Sequence, residues 1–314
     1  METSFMRKKA FIVSQGLLFL GVLALVLAGC SNGSGSGGLD KTQKLVFPNI
    51  GTQDVKTLDP GLIGDVSSAQ ALQLISNGLV TLDSSTLQIK PDLASSWETS
   101  ADGKTWTFHL RSGLKFSNGD PLTASDFAYS IDRAFSPAID GKSGTASYYL
   151  GINSVPNIVG AADRAAGKSQ SIIGTGVVAV NDTTLQIHLI QPAAYFLDQL
   201  TYPVSWVVDK NVVNQYGANW WDGHFVGAGP FILKSWVHKS LLTFVPNPNW
   251  WGPKLTLTEI DMPMIVSPDT AWNNFQSKQD DIVGVPAADY PLAKALGSSE
   301  FFEGPQLSIQ YLGF

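Results

Sequence analysis

The chain has a single cysteine, Cys30, in 314 residues. A lone thiol excludes an intramolecular disulfide, so packing and hydrogen bonds must hold the fold. Histidine is also scarce. His109, His188, His224 and His238 are scattered, and none has metal-ligand spacing with another histidine or with Cys30. His109 and His188 fall within strand patterns and read as ordinary strand residues. No block of like charge occurs, and the net charge of −6 argues against nucleic acid as a partner, since phosphate binding needs clustered Lys and Arg. The chain has no internal repeat, no G-x-S-x-G elbow, no P-loop and no H-E-x-x-H. Gly227-Ala228-Gly229 opens like a dinucleotide fingerprint, but Ile232 stands where the third glycine is needed. Adjacent Asp280 and Asp281 would point to opposite faces of an extended segment, which reads as a solvated loop and not as an acid/base pair. These absences remove the usual catalytic constellations and point to a binder that needs no metal and no cofactor.

What the chain has begins at its N-terminus. Arg7, Lys8 and Lys9 precede an apolar run over 10–26, followed by small residues before Cys30. That is the layout of a secretory signal peptide. An uncleaved membrane anchor is the alternative, since the run approaches spanning length; Ser14, Gln15 and the small residues weaken it. Leu27-Ala28-Gly29-Cys30 resembles a bacterial lipobox, after which the cysteine is lipidated and becomes the mature N-terminus. A thiolate is the side chain suited to such alkylation. Two acyl chains at ~0.8 kcal/mol per buried CH₂ anchor firmly where one would be marginal. The Gly/Ser tract 31–38 then reads as a flexible tether. Cys30 is accordingly expected to be a lipid attachment point, on the extracytoplasmic face of the cell membrane.

Beyond the tether the pattern is mixed. Lys44 to Phe47 reads as a strand, followed by a loop through Leu58-Asp59-Pro60. A helix to about Asn77 follows, capped by Ser67 or Ser68, with Asp65 as a further candidate cap. Trp106, Phe108 and Leu110 alternate with Thr105, Thr107 and His109, the period of a half-buried strand. Asp102-Gly103 and Asn118-Gly119 mark turns. Thr123 stands three residues before Asp126, a capping-box start for a helix whose core stripe is Phe127, Ile131, Ala134 and Phe135. Residues 141–147 read as a surface loop. Hairpins are expected over 177–189 and 231–245, a strand over 255–264 and a short helix over 269–277. Without a regular βαβ rhythm, this is a mixed α/β fold of the α+β kind.

A further signal comes from blocks in a fixed order: Leu58-Asp59-Pro60, Ile75-Ser76-Asn77-Gly78-Leu79, Pro91-Asp92-Leu93-Ala94-Ser95-Ser96-Trp97, Asp102 through Arg111, and Lys115 through Phe127. Gly227-Ala228-Gly229-Pro230-Phe231, Asn247-Pro248-Asn249-Trp250-Trp251 and Gln279-Asp280-Asp281-Ile282 continue the series. Together they resemble the oligopeptide- and dipeptide-binding proteins of ABC importers, extracellular solute-binding protein family 5.

The resemblance implies a periplasmic-binding-protein-like clamshell of two lobes, type II, with an extra subdomain. On that template the chain divides into a signal peptide (1–29), the lipidated cysteine and tether (30–40), a first-lobe segment (41–76), an inserted subdomain (77–207), the first-lobe continuation (208–302) and the start of a second lobe (303–314). Most of the second lobe is missing, so the chain is expected to be a fragment. The implied ligand is a peptide, bound through its backbone in strand-like fashion. The implied partners are the importer's permease and ATPase subunits, with membrane lipid at Cys30, and a monomer is expected. Site residues carried over are Gly64, Asp65, Val66 and Ser67 lining the cleft, and Tyr148, with Tyr149 as the alternative. Nickel complexes, haem, glutathione or short sugars are other cargoes within the family, and a lipid-anchored hydrolase or adhesin is the reading outside it.

Overall fold

The computed structural model describes residues 10–11, 43–152, 155–297 and 300–304. Cys30, its tether, the lipobox and residues 305–314 lie outside the described residues, as does the leader apart from Ala10 and Phe11. Those two pair in parallel with Phe301 and Phe302.

The first sheet is built from both ends of the described chain. β1 (Lys44–Val46) and β2 (Asn49–Ile50) open it, and α1 (Val66–Ile75) follows. Next come the ribbon β3 (Val80–Leu82) and β4 (Ile89–Pro91), then β5 (Ala94–Thr99) and β6 (Thr105–Leu110). After α2 (Ala124–Ala134) stand two short helices, α3 (Asp140–Ser143) and α4 (Thr145–Tyr149). The hairpin β7 (Val177–Asn181) and β8 (Thr184–His188) precedes α5 (Lys210–Tyr216). The chain then returns through β9 (Phe231–Val237), β10 (Leu241–Pro246) and β11 (Glu259–Ile265) to α6 (Pro268–Gln276) and α7 (Tyr290–Ala295).

β9, β10 and β11 pair antiparallel, and β11 takes both β1 and β2 as parallel partners. Parallel pairing demands a long crossover, and here the intervening chain includes the second sheet. That sheet runs β7-β8-β6-β5, antiparallel throughout. Its central strand β6 buries Trp106, Phe108 and Leu110 while Thr105, Thr107 and His109 stay half-exposed. His109 and His188 are strand residues, as their pattern indicates.

Each sheet has its own apolar cluster. One gathers residues from Leu79 to Val207, together with Ala228, and includes the fully buried Phe108, Phe127, Ile131 and Phe196. The other joins Phe47, Leu58, Leu72 and Ile75 to Phe231, Phe244, Ile260 and Met262. The chain crosses between them at 76–78 and again at 206–208, side by side: Val207 N donates to Asn77 O at 3.3 Å. A smaller cluster under α6 and α7 contains Trp272, Phe275 and Val283.

Several sequence expectations are corrected. α1 is capped by Asp65, whose carboxylate accepts from Ser68 N and Oγ, both at 2.9 Å, and it ends at Ile75. The expected loop over 141–147 is helical, with Thr145 and Ala146 buried. The strand expected from Leu255 starts only at Glu259. Asp280 and Asp281 are not a solvated pair. Asp280 is buried, and Asp281 spans β1, its N donating to Val46 O at 2.9 Å and its Oδ2 accepting from Val46 N at 2.8 Å.

Candidate functional site

The Leu58-Asp59-Pro60 block is a turn built around one carboxylate. Asp59 is fully buried and caps a single 3-10 turn, Pro60–Leu62, by accepting from Gly61 N at 3.0 Å. A buried carboxylate requires several donors, and three chain segments supply them. Arg133, in the last turn of α2, makes a two-pronged pair with it: Nη1 donates to Oδ1 at 2.9 Å and Nη2 to Oδ2. Trp220 Nε1 completes the set at 3.1 Å. No local sequence pattern joins Asp59 to Arg133 and Trp220, which lie 74 and 161 positions away. The legible signal was an acidic residue set between leucine and proline.

The four cleft-lining candidates follow this turn directly. Gly64 is exposed, and no hydrogen bond among the described residues uses its N–H or C=O. Val66 is 48% exposed at the start of α1. Ser67 is held from behind, its carbonyl accepting from Asn49 Nδ2 at 2.8 Å. Asp65 is committed to capping, so its carboxylate already has partners. The segment therefore presents open backbone on a fixed base.

Tyr148 stands on α4, which packs beside the Pro60–Leu62 turn. Tyr148 is 65% exposed, and its ring meets that of Tyr149 edge-on at 4.9 Å. Tyr149 in turn stacks on Tyr202 at 4.3 Å. Burial raises the phenol pKa of both Tyr149 and Tyr202, so both remain protonated donors at neutral pH. The 64–67 segment thus leaves the turn against which the helix carrying Tyr148 packs, with the Tyr149 ring edge-on to that of Tyr148.

Two of the remaining blocks, 227–231 and 247–251, meet where the two clusters adjoin. Gly227 and Gly229 let the backbone press on the end of α1: a Cβ at Gly227 would lie 2.0 Å from Ile75 O, and one at Gly229 2.4 Å from Ile75 C. Buried Asn247 donates from Nδ2 to Gly229 O at 2.8 Å. The Arg111 guanidinium lies 4.0 Å over the Trp251 ring and donates to Asp92 O at 2.7 Å. Asp92 is buried, and burial pushes its carboxyl up to about 6 against the lowering effect of Asn77 and Arg111. Among the described residues no cluster of His, Cys, Asp or Glu has the form of a metal site, and no helix is long and apolar enough to cross a membrane.

Comparison with known proteins adds the following. Residues 88–314 match the family described as bacterial extracellular solute-binding proteins, family 5. The oligopeptide-binding protein OppA of Bacillus subtilis (strain 168) is 32% identical over 291 residues, covering 91% of this chain and 51% of the relative. A probable deoxycholate-binding periplasmic protein, YgiS of Escherichia coli (strain K12), is 32% identical over 271 residues, covering 86% of this chain and 49% of the relative. The crystal structure of Haemophilus influenzae OppA in complex with the peptide RPPGFSPFR superposes with a TM-score of 0.73 at 30% identity, over 83% of this chain and 50% of that one. The chain spans about half the length of the relatives it matches. Its mixed α/β fold is thus part of a two-lobed clamshell.

Proposed function

Because the chain belongs to the bacterial extracellular solute-binding proteins of family 5, we propose that it captures oligopeptides or dipeptides outside the membrane and delivers them to the permease and ATPase subunits of an ABC importer. The observation that carries this reading is the open backbone at Gly64, just after a turn that packs against the helix carrying exposed Tyr148. An extended peptide offers alternating N–H and C=O groups, and a strand-like pairing with such a segment binds without reading side chains. The tyrosine supplies a flat, amphipathic wall. Relatives named as oligopeptide-binding proteins support the same cargo.

Gly64, Asp65, Val66, Ser67 and Tyr148 are the ligand-facing residues on this reading, with Asp65 acting through the cap it makes. The chain's units are those set out from the sequence, with inserted subdomain 77–207 between first-lobe segments 41–76 and 208–302; the two apolar clusters support this division. Cys30 carries a diacylglyceryl group that holds the protein on the extracytoplasmic face. The protein works as a monomeric binder, not as an enzyme.

The test is native mass spectrometry of the purified chain with an equimolar library of di- to pentapeptides, and with deoxycholate, nickel, haemin and glutathione in separate arms. Reproducible peptide adducts of mixed mass are expected. Adducts confined to another arm would replace the cargo, and deoxycholate is the competitor that a relative's name brings in. The intact mass of protein extracted from its own membranes checks the anchor: loss of 1–29 and a lipid mass on Cys30 are expected.

A further inference from the structure

We propose that the buried Asp59–Arg133 pair, completed by Trp220, is a positioning device that sets the 64–67 segment against the helix carrying Tyr148. This rests on the peptide-binding reading for its purpose, but its geometry stands apart from it. Asp59 begins the turn that leads into Gly64, and Arg133 ends the helix that leads through α3 into α4. The two candidate walls of the site therefore leave from the two ends of one ion pair.

Close contacts reinforce the pair on both sides. A Cβ on Gly61 would lie 2.8 Å from Ile139 Cγ2, so the turn is pressed onto the start of α3 with no room for a side chain. Ser143 Oγ donates to Gly61 O at 3.2 Å, joining the end of α3 to the same turn. From the third direction, Trp220 is itself buried and ring-stacked on Phe225 at 5.3 Å. Each guanidinium nitrogen in the pair faces its own carboxylate oxygen, so the pair admits one orientation, where an apolar contact would allow sliding. A hydrophobic replacement of similar volume would often be as stable. The distinct contribution of the charges here is direction.

The experiment places nitroxide labels at two exposed positions, Val66→Cys and Tyr148→Cys, in a Cys30→Ser background of the full chain, and reads the distance distribution by pulsed electron resonance. Two variants are compared with the parent. Arg133→Lys keeps the charge but loses the fork. Asp59→Asn with Arg133→Met removes both charges and strands neither. The expected result is a distribution at least twice as wide in both variants, with far-ultraviolet circular dichroism unchanged. In unlabelled counterparts, adducts with the di- to pentapeptide library should fall at least tenfold. A distribution as narrow as the parent's in both folded variants would overturn the proposal, as would widening without any loss of peptide capture. Unfolding of both variants would also overturn it, marking the pair as structural only. Should the unlabelled wild-type chain capture no peptide, the proposed cargo fails, while the distance readout still decides the positioning role.

Discussion

Asp59 and Asp92 are both buried, and the chain satisfies them in different ways. Asp59 keeps its charge company with an arginine fork. Among the described residues Asp92 has Asn77 Nδ2, at 2.7 Å, as its one side-chain donor, while Arg111 Nε donates to its backbone carbonyl. With its carboxyl pushed up to about 6 by burial, the folded protein retains a proton that the unfolded chain releases near pH 4. Stability from this group is therefore greatest below pH 4 and is lost as pH rises through about 6. In Asp92→Asn the unfolding free energy at pH 4 minus that at pH 7 should be lower than in wild type by about 2 kcal/mol, measured by urea denaturation at both pH values. The glycines make a second contrast. Gly229→Ala drives a methyl into the backbone of Ile75 and should cost on the order of 3 kcal/mol. Gly64→Ala meets nothing within 4 Å, so its urea midpoint should stay near wild type, within about 0.5 kcal/mol.

Among the elements, those with strong local signals were legible. β6 follows its alternation residue for residue, and α2 starts where Thr123 N and Oγ1 donate to Asp126 Oδ2 at 2.8 and 2.9 Å. The start of α1 was less clear, because Asp65, Ser67 and Ser68 are all good caps in sequence and only the backbone path decides among them. Asp65→Ala should lose about 1 kcal/mol of stability, and Asp65→Asn should recover most of it. A shift of the urea midpoint at constant slope is the check. The helices α3 and α4 were not legible. Gly141, Gly144 and the small residues around them read as a loop, whereas in the fold both short helices pack on the Asp59 turn and Thr145 and Ala146 are buried.

On the scale of the whole molecule, two apolar clusters are tied by polar bridges. Besides the Asp59 pair, the 117–118 turn is tied to three later segments: Ser117 N donates to Gly227 O at 2.8 Å, Asn118 Nδ2 to Asp209 Oδ2 at 3.1 Å, and Asn249 Nδ2 to Ser117 O at 3.2 Å. Such coupling should give one cooperative transition, with tryptophan fluorescence and circular dichroism coinciding. Arg133→Met alone strands the Asp59 carboxylate and should cost roughly 3–5 kcal/mol. Adding Asp59→Asn should restore much of that loss, since the double variant leaves no buried charge without a partner. Urea denaturation of the wild type, both single variants and the double variant gives the coupling directly.

By itself the sequence determined the mixed α/β class, the strand and helix periods, the family and the expectation of a peptide binder, because these rest on local patterns and ordered blocks. Only the tertiary structure decided why the blocks are there. Asp59 and Arg133 lie 74 positions apart, and Gly229 lies far along the chain from Ile75, so no window of sequence shows that they touch. The candidate site divides in the same way. Gly64 to Ser67 and Tyr148 came from resemblance, whereas the turn that precedes the one and packs on the helix of the other depends on a buried charge finding its partners across the fold.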